Sequence, residues 1–176
     1  MRGNHNDDAV YFWKQDEKPY GVLCQWFPSR FTDKEGTVWE NMEQYIMAMK
    51  AKEFKDNASY DRIRRENNPK TCKAIGREVA HFNDKVWKKK APMLAYIGNC
   101  MKFEQNPALK RVLLSTGDRP LYEASPYDKI WGIGLDAEQA ANWDPKHEFP
   151  GTNLLGKALM KVRTRFVVTK PETSQS

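Results

Sequence analysis

The chain has 176 residues, 40% of them hydrophobic and 12% aromatic, six tryptophans, and a formal net charge of +6. This composition suits one folded domain whose core needs no disulfides, and it excludes a disordered chain. No apolar run approaches the ~20 residues of a membrane span, and Met1 to Asp8 lack the hydrophobic stretch of a signal peptide.

Three cysteines, Cys24, Cys72 and Cys100, are an odd number without paired spacing. They fit reduced thiols, so a cytoplasmic or nuclear protein is expected. The positive charge favours anionic partners such as phosphates, nucleotides or nucleic acid. His5, His81 and His147 stand far apart and no Cys/His pair has ligand spacing, so no metal site is expected. There is no Walker loop. Trp131-Gly132-Ile133-Gly134 lacks the third glycine of a dinucleotide fingerprint.

In chain order, Val10 to Trp13 reads as a short strand of aromatic and branched residues. After Pro19-Tyr20-Gly21, Val22 to Phe27 reads as a second extended piece, stopped by Pro28. Phe31-Thr32 and Thr37-Val38-Trp39 flank a turn containing Gly36 and suggest a hairpin. Asn41 then caps a helix whose Met42, Tyr45, Ile46 and Met49 recur at helical spacing and face the core. Asp61 to Glu66 is a short charged segment. Asn68-Pro69 and Asn106-Pro107 each supply a cap with proline at the first helical position. Between them, Asn83-Asp84 opens a long helix to Gln105, which Pro92 is expected to kink or break. Pro120 to Ala124 reads as a strand, Lys129 to Gly134 as an extended glycine-rich piece, and Asp136 as the cap of a short helix. Leu154 to Phe166 is the last helix, before a polar tail that includes Lys170 to Ser176. The expected architecture is a single α+β domain, mostly helical with a small sheet.

Four pieces point to chemistry. Glu43 and Lys50 are seven apart, about two helical turns, and share one face. Arg77 ends a helix ahead of Trp87. Asp128 lies in a turn before Trp131 and Gly132, and Asn153 opens the final helix. An acid and an amine on one stripe, joined by a distant aspartate near tryptophans and glycines, suit polar chemistry on a flat, ringed substrate. Each residue also has a structural reading: solvated charges at Glu43, Lys50 and Arg77, a core tryptophan at Trp87, a self-capped turn at Asp128.

With these residues in place, the chain resembles the NADAR domain family, whose bacterial members include the YbiA-like proteins. The likeness runs from about Val10 to Phe166. It is carried by Leu23-Cys24-Gln25-Trp26-Phe27-Pro28, by Met42-Glu43-Gln44-Tyr45 with Ala48 and Lys50, and by Ile75-Gly76-Arg77 and Trp87. It continues through Lys102-Phe103-Glu104-Gln105-Asn106, Leu113-Leu114-Ser115-Thr116-Gly117 and Glu123-Ala124-Ser125-Pro126. Trp131-Gly132-Ile133-Gly134 and Asn153-Leu154-Leu155-Gly156 close the series. No piece is specific alone; the ordered set is.

The resemblance implies an N-glycosidase that cleaves the bond between ribose and a nitrogen base. Reported substrates are ADP-ribose on guanine and phosphorylated early intermediates of riboflavin synthesis. The family's catalytic glutamate, tryptophan and aspartate fall on Glu43, Trp87 and Asp128, and its helix lysine on Lys50. Glu43 would stabilise the oxocarbenium-like sugar or deprotonate water. Asp128 would orient a ribose hydroxyl or help protonate the leaving base, and Trp87 would pack on the ligand. Lys50 would act as a fixed cation or as an imine-forming amine. Gln25, Trp26, Arg77, Trp131, Gly132 and Asn153 are expected to bind substrate, with Arg77 on phosphate. Cys24 stands where the family usually has Ser.

No cofactor is required, and ADP-ribose is expected as product or ligand. The expected partner is an ADP-ribose-containing substrate, with ADP-ribosylated DNA or RNA behind it. The net charge of +6, and segments closer to the eukaryotic-type branch of the family, favour guanine-linked ADP-ribose over a riboflavin precursor. The rival classes are an ADP-ribose-binding module without turnover and a basic nucleic-acid-binding protein.

Overall fold

Asn41 starts the helix on which the molecule is built. Its side-chain oxygen accepts from the Gln44 amide at 2.9 Å, and its amide donates to the Asn67 carbonyl. Every residue from Met42 to Ala48 of the resulting helix is buried. Around it, the computed structural model describes residues 8–169. The Lys170–Ser176 part of the expected tail lies outside them.

The elements are β1 (Val10–Phe12), a 3-10 turn (Tyr20–Leu23), β2 (Phe31–Thr32), β3 (Val38–Trp39), α1 (Met42–Glu53), α2 (Asn57–Arg65) and α3 (Pro69–Arg77). They continue with α4 (Asp84–Gln105), α5 (Pro107–Ser115), β4 (Leu121–Glu123), α6 (Ala137–Ala141) and α7 (Leu154–Val168). The fold is α+β. Among the described residues no helix is long and apolar enough to cross a membrane. All three cysteines are free and buried.

Helices α2, α3 and α4 pack around α1, and α7 packs against both α4 and β4. Gln44 ties α1 to the end of α2. It takes the Glu40 amide at 2.8 Å and gives its own protons to the carbonyls of Ile63 and Glu66. Gly76 lets α3 press onto α1, because a Cβ there would strike Met47 Sδ. One apolar cluster fills this half, with Trp39, Met42, Ile46, Cys72, Trp87 and Ala95. A second lies under β1, β4 and α7 with Phe12, Phe103, Leu121 and Leu159, and Trp131 packs against both.

β2 and β3 form the expected hairpin, with Phe31 opposite Trp39. β1 and β4 pair in parallel, Val10 with Leu121 and Phe12 with Glu123, so the first strand lies beside the last. Leu121 and Glu123 are buried and Tyr122 between them is half-buried, the alternation of a strand.

Three expectations are corrected. Val22 to Phe27 forms no strand. The buried Lys102 ammonium takes the carbonyls of Val22 and Cys24 at 2.7 and 3.1 Å, which curls the backbone into a 3-10 turn and a further turn. Lys129 to Gly134 pairs with no strand either. Its carbonyls from Lys129 to Ile133 accept the amides of Gly151 to Leu155, holding it against the start of α7. Helix α4 runs unbroken through Pro92. Packing of α1 and α7 along its length outweighs the ~3 kcal/mol an interior proline costs.

Asn153 joins these parts. It sits at the N-cap of α7 with φ +53°, buried, its Oδ1 accepting the Glu123 amide at 3.0 Å and its Nδ2 donating to the Leu121 carbonyl at 2.9 Å. Asn153→Ala strands both β4 groups and loses a residue tolerant of left-handed backbone. It is expected to cost about 2–4 kcal/mol in urea unfolding.

Candidate active site

The first turn of α1 carries Glu43 inward. Its backbone amide donates to the Gln25 carbonyl at 3.0 Å, so the Cys24–Trp26 turn is strapped to the helix start. Lys102 fixes the same turn from the other side. Burial pushes the Lys102 amine down to about 7, a shift opposed by the Cys24 side chain. Cys24 is itself buried, its thiol pushed up to about 11, and its Sγ accepts the Trp26 amide. The half-buried Trp26 is thereby placed beside the Glu43 carboxyl, where its indole favours the ionised form.

Glu43 is only 6% exposed, which rules out the solvated reading. Burial is the main cause that lifts its carboxyl to about 7. Lys73, the Trp26 hydrogen bond and Arg77 oppose the rise, and the negative charge of Asp128 adds to it. Lys73 and Arg77 are four apart on α3, so they project from one face toward this acid. Lys73 is half-buried and Arg77 exposed.

Lys50, two turns further along α1, is half-buried with its Nζ 4.5 Å from the ring centre of Phe82. Burial lowers its amine below the ordinary lysine range. Glu43 pulls it back up, and Arg77 pushes it down. Phe82 is 44% exposed and forms an apolar rim beside this amine.

Asp128 lies in the turn that follows β4. Its Oδ1 accepts the amides of Ile130 and Trp131 at 2.9 and 2.8 Å, so the self-capped turn is real. Its charge nonetheless bears on both Glu43 and Glu123. The self-capped turn thus coexists with a charge that reaches the neighbouring acids.

Glu123 had no assigned role in the sequence. It ends β4, is 9% exposed, and its Oε2 is sealed from solvent with no hydrogen-bond partner. Burial, then Asp128, then Glu43 raise its carboxyl to about 8, against Lys73. Gly132 lies over it: a Cβ there would stand 2.8 Å from the Glu123 carbonyl and 3.2 Å from Oε2. Three carboxyl groups from α1, β4 and the 128 turn therefore share one electrostatic environment. Among the described residues no three His, Cys, Asp or Glu side chains are grouped closely enough to hold a metal ion.

The other expected residues fall in two groups. Gln25 is 6% exposed with Oε1 unpartnered, an acceptor left free beside the start of α1. Trp26, Arg77 and Gly132 also adjoin the acids. Trp131 is half-buried between the two apolar clusters. Trp87 is 9% exposed within the α1 cluster, so it can show a ligand only an edge. Asn153 spends both ends of its amide on β4 and positions Glu123 from behind. A surface groove of about 710 Å³ between α4 and α7, lined by Met93, Tyr96, Met160 and Lys161 among others, holds no acid.

The NADAR domain model matches residues 11–167. The chain belongs to the NADAR family. An N-glycosidase of Acanthamoeba polyphaga mimivirus is 42% identical over 163 residues, covering 89% of this chain and 95% of that protein. A riboflavin biosynthesis protein of Vibrio vulnificus is 30% identical over 93% of this chain but only 40% of its own length. The NMR structure of Escherichia coli YbiA superposes with a TM-score of 0.74 at 25% identity, covering 92% of this chain and 86% of that one. As a NADAR protein, the chain thus shares its fold with YbiA and its family with named N-glycosidases.

Sequence reasoning missed Glu123 and Lys73. Glu123 was visible as part of Glu123-Ala124-Ser125-Pro126, and Lys73 as the residue one turn before Arg77. Neither pattern says which side faces an acid.

Because the Glu43 carboxyl is raised from 4.5 to about 7 in the folded protein, the native state keeps a proton that the unfolded chain releases across that window. Its contribution to stability is full below the unfolded value and is lost as pH rises through about 7. Glu43→Gln removes this loss. Chemical denaturation should show the variant gaining on the wild type between pH 4.5 and 7.5, by on the order of 3 kcal/mol.

Proposed function

We propose that this NADAR protein is an N-glycosidase that hydrolyses the bond between ribose and a nitrogen base, with guanine-linked ADP-ribose as its substrate. The observation that carries this reading is the buried Glu43 carboxyl, lifted close to neutral and walled by Lys50, Lys73 and Arg77. A general base works best with a pKa near the operating pH. A binding module has no use for a buried acid whose desolvation costs stability. The three cations suit a pyrophosphate, and the net charge of +6 suits a polynucleotide behind it.

Losing the base builds positive charge on the sugar, which the Glu43 carboxylate stabilises while it takes a proton from the attacking water. Asp128, with one oxygen engaged by its own turn, accepts a ribose hydroxyl at the other. Arg77, exposed at the end of α3, pairs with phosphate. Trp87 closes the wall against water. Lys50, its amine lowered by burial, is available as a nucleophile toward ring-opened ribose. A second reading, turnover of a ribosylamino-pyrimidine phosphate, is favoured by the Vibrio vulnificus relative named for riboflavin biosynthesis.

Guanine-ADP-ribosylated oligonucleotide and the pyrimidine phosphate, offered separately, distinguish the two. A preference above about tenfold in kcat/KM for the former is expected, ~1.4 kcal/mol in transition-state binding. The reverse preference would move the protein to the second reading. In either case Glu43→Gln should bind as the wild type does by calorimetry while losing about 10²-fold or more in single-turnover rate. Borohydride added during turnover should leave a sugar adduct on the peptide holding Lys50. Full activity in Lys50→Arg, which cannot form an imine, would make that residue purely electrostatic.

A further inference from the structure

The departing base of an N-glycoside must gain a proton, for which the family resemblance offers Asp128. Asp128 is poorly suited, since two backbone N–H groups already donate to its Oδ1 and favour its use as an acceptor. Glu123 has the opposite surroundings. Nothing donates to its sealed Oε2, and the residue is 9% exposed. A bare carboxylate oxygen in such a place is costly, whereas a neutral carboxyl is not.

The fold also holds Glu123 tightly. Its amide is bound by Asn153, its carbonyl accepts from Ile133 at 2.8 Å, and Phe12 is its strand partner. Gly132 lies close enough over the carboxyl that any side chain would crowd it. The charged and titratable groups facing it are Glu43 from α1, Asp128 from the following turn, Lys73 from α3, and Cys24 from the strapped turn. Two of these are acids whose repulsion adds to burial, and one is a cation that opposes it.

Resting on the N-glycosidase reading, we propose that Glu123 is the general acid of the reaction, holding a proton between Glu43 and Asp128 and giving it to the base as it leaves. As the C1–N bond breaks, its electron pair stays on nitrogen, which takes the Glu123 proton. The water oxygen bonds to C1, and its proton goes to Glu43. The proton leaves and returns at Oε1, the Glu123 oxygen that is not sealed, and exchange with solvent there restores the Glu123 acid while Glu43 gives up its proton to water. The raised carboxyls, about 7 at Glu43 and about 8 at Glu123, leave a window in which base and acid forms coexist. This is the division of labour expected where two neighbouring acids have different surroundings.

The test is the pH profile of kcat/KM for the wild type and Glu123→Gln, on whichever of the two substrates the wild type cleaves. The wild type should show an acidic limb near 7 and an alkaline limb near 8, as macroscopic values of the coupled acids. Glu123→Gln keeps the shape but has no proton to give. It should lose the alkaline limb and about 10²-fold of kcat with KM little changed.

Wild-type kcat in Glu123→Gln, or an unchanged alkaline limb, would overturn the proposal while leaving the N-glycosidase reading intact. No cleavage of either substrate by the wild type overturns that reading, and this one with it. Circular dichroism checks folding of the variant. If it does not fold, the wild-type profile decides, and a rate flat from pH 7 to 9 excludes an acid at Glu123.

Discussion

Burial of the Glu43 carboxyl is the constraint on which the site depends. The first turn of α1 is enclosed by α2, α3 and α4, so whatever occupies that position leaves water. Desolvation then lifts the carboxyl toward neutral, and nearby charges divide into those that oppose the lift and those that add to it. Lys73 and Arg77 come from α3, which approaches α1 closely because Gly76 has no side chain to meet Met47. Asp128 and Glu123 come from the other half of the molecule. The acids are thus supplied by two packed halves, and Trp131 belongs to both apolar clusters.

Few residues maintain that juxtaposition. Lys102, fully buried, binds two carbonyls of the turn that carries Gln25 and Trp26, and Glu43 binds the third through its amide. Asn153 does the corresponding work for β4, and Asp128 organises the turn leading to Gly132. Each is a polar side chain spent on backbone groups that no regular ladder satisfies. A site of converging acids needs such supports, because like charges brought together repel unless protons or fixed dipoles compensate.

Much of this was legible in the sequence. The caps at Asn41, Asn68, Asn83 and Asp136 fix where helices begin, since their side-chain oxygens have local amide partners whatever the tertiary fold. The NADAR resemblance singles out Glu43, Lys50 and Asp128, which share one electrostatic neighbourhood. What the sequence does not carry is long-range compensation. Val22 to Phe27 has strand composition, yet its backbone is claimed by a lysine 80 residues away from Val22. Pro92 breaks helices in general, but α4 is held on two sides. Glu123 reads as a strand residue with no stated partner. Only the parallel pairing of β4 with β1, and the close pass of Gly132, show that its carboxyl points into a dry place beside two other acids.

Buried together, the carboxyls of this pocket are not expected all to ionise at neutral pH. The most direct test is a carboxyl-carbon NMR titration of glutamate-labelled protein, with the two signals assigned through Glu43→Gln and Glu123→Gln. Two glutamate carboxyls should titrate near 7 and near 8, and the higher, Glu123, should move toward the ordinary range in Glu43→Gln, whereas Glu43 should stay near 7 in Glu123→Gln because Glu123 is still protonated there. Titration of both near 4.5 in the folded protein would show instead that neither carboxyl holds a proton at neutral pH.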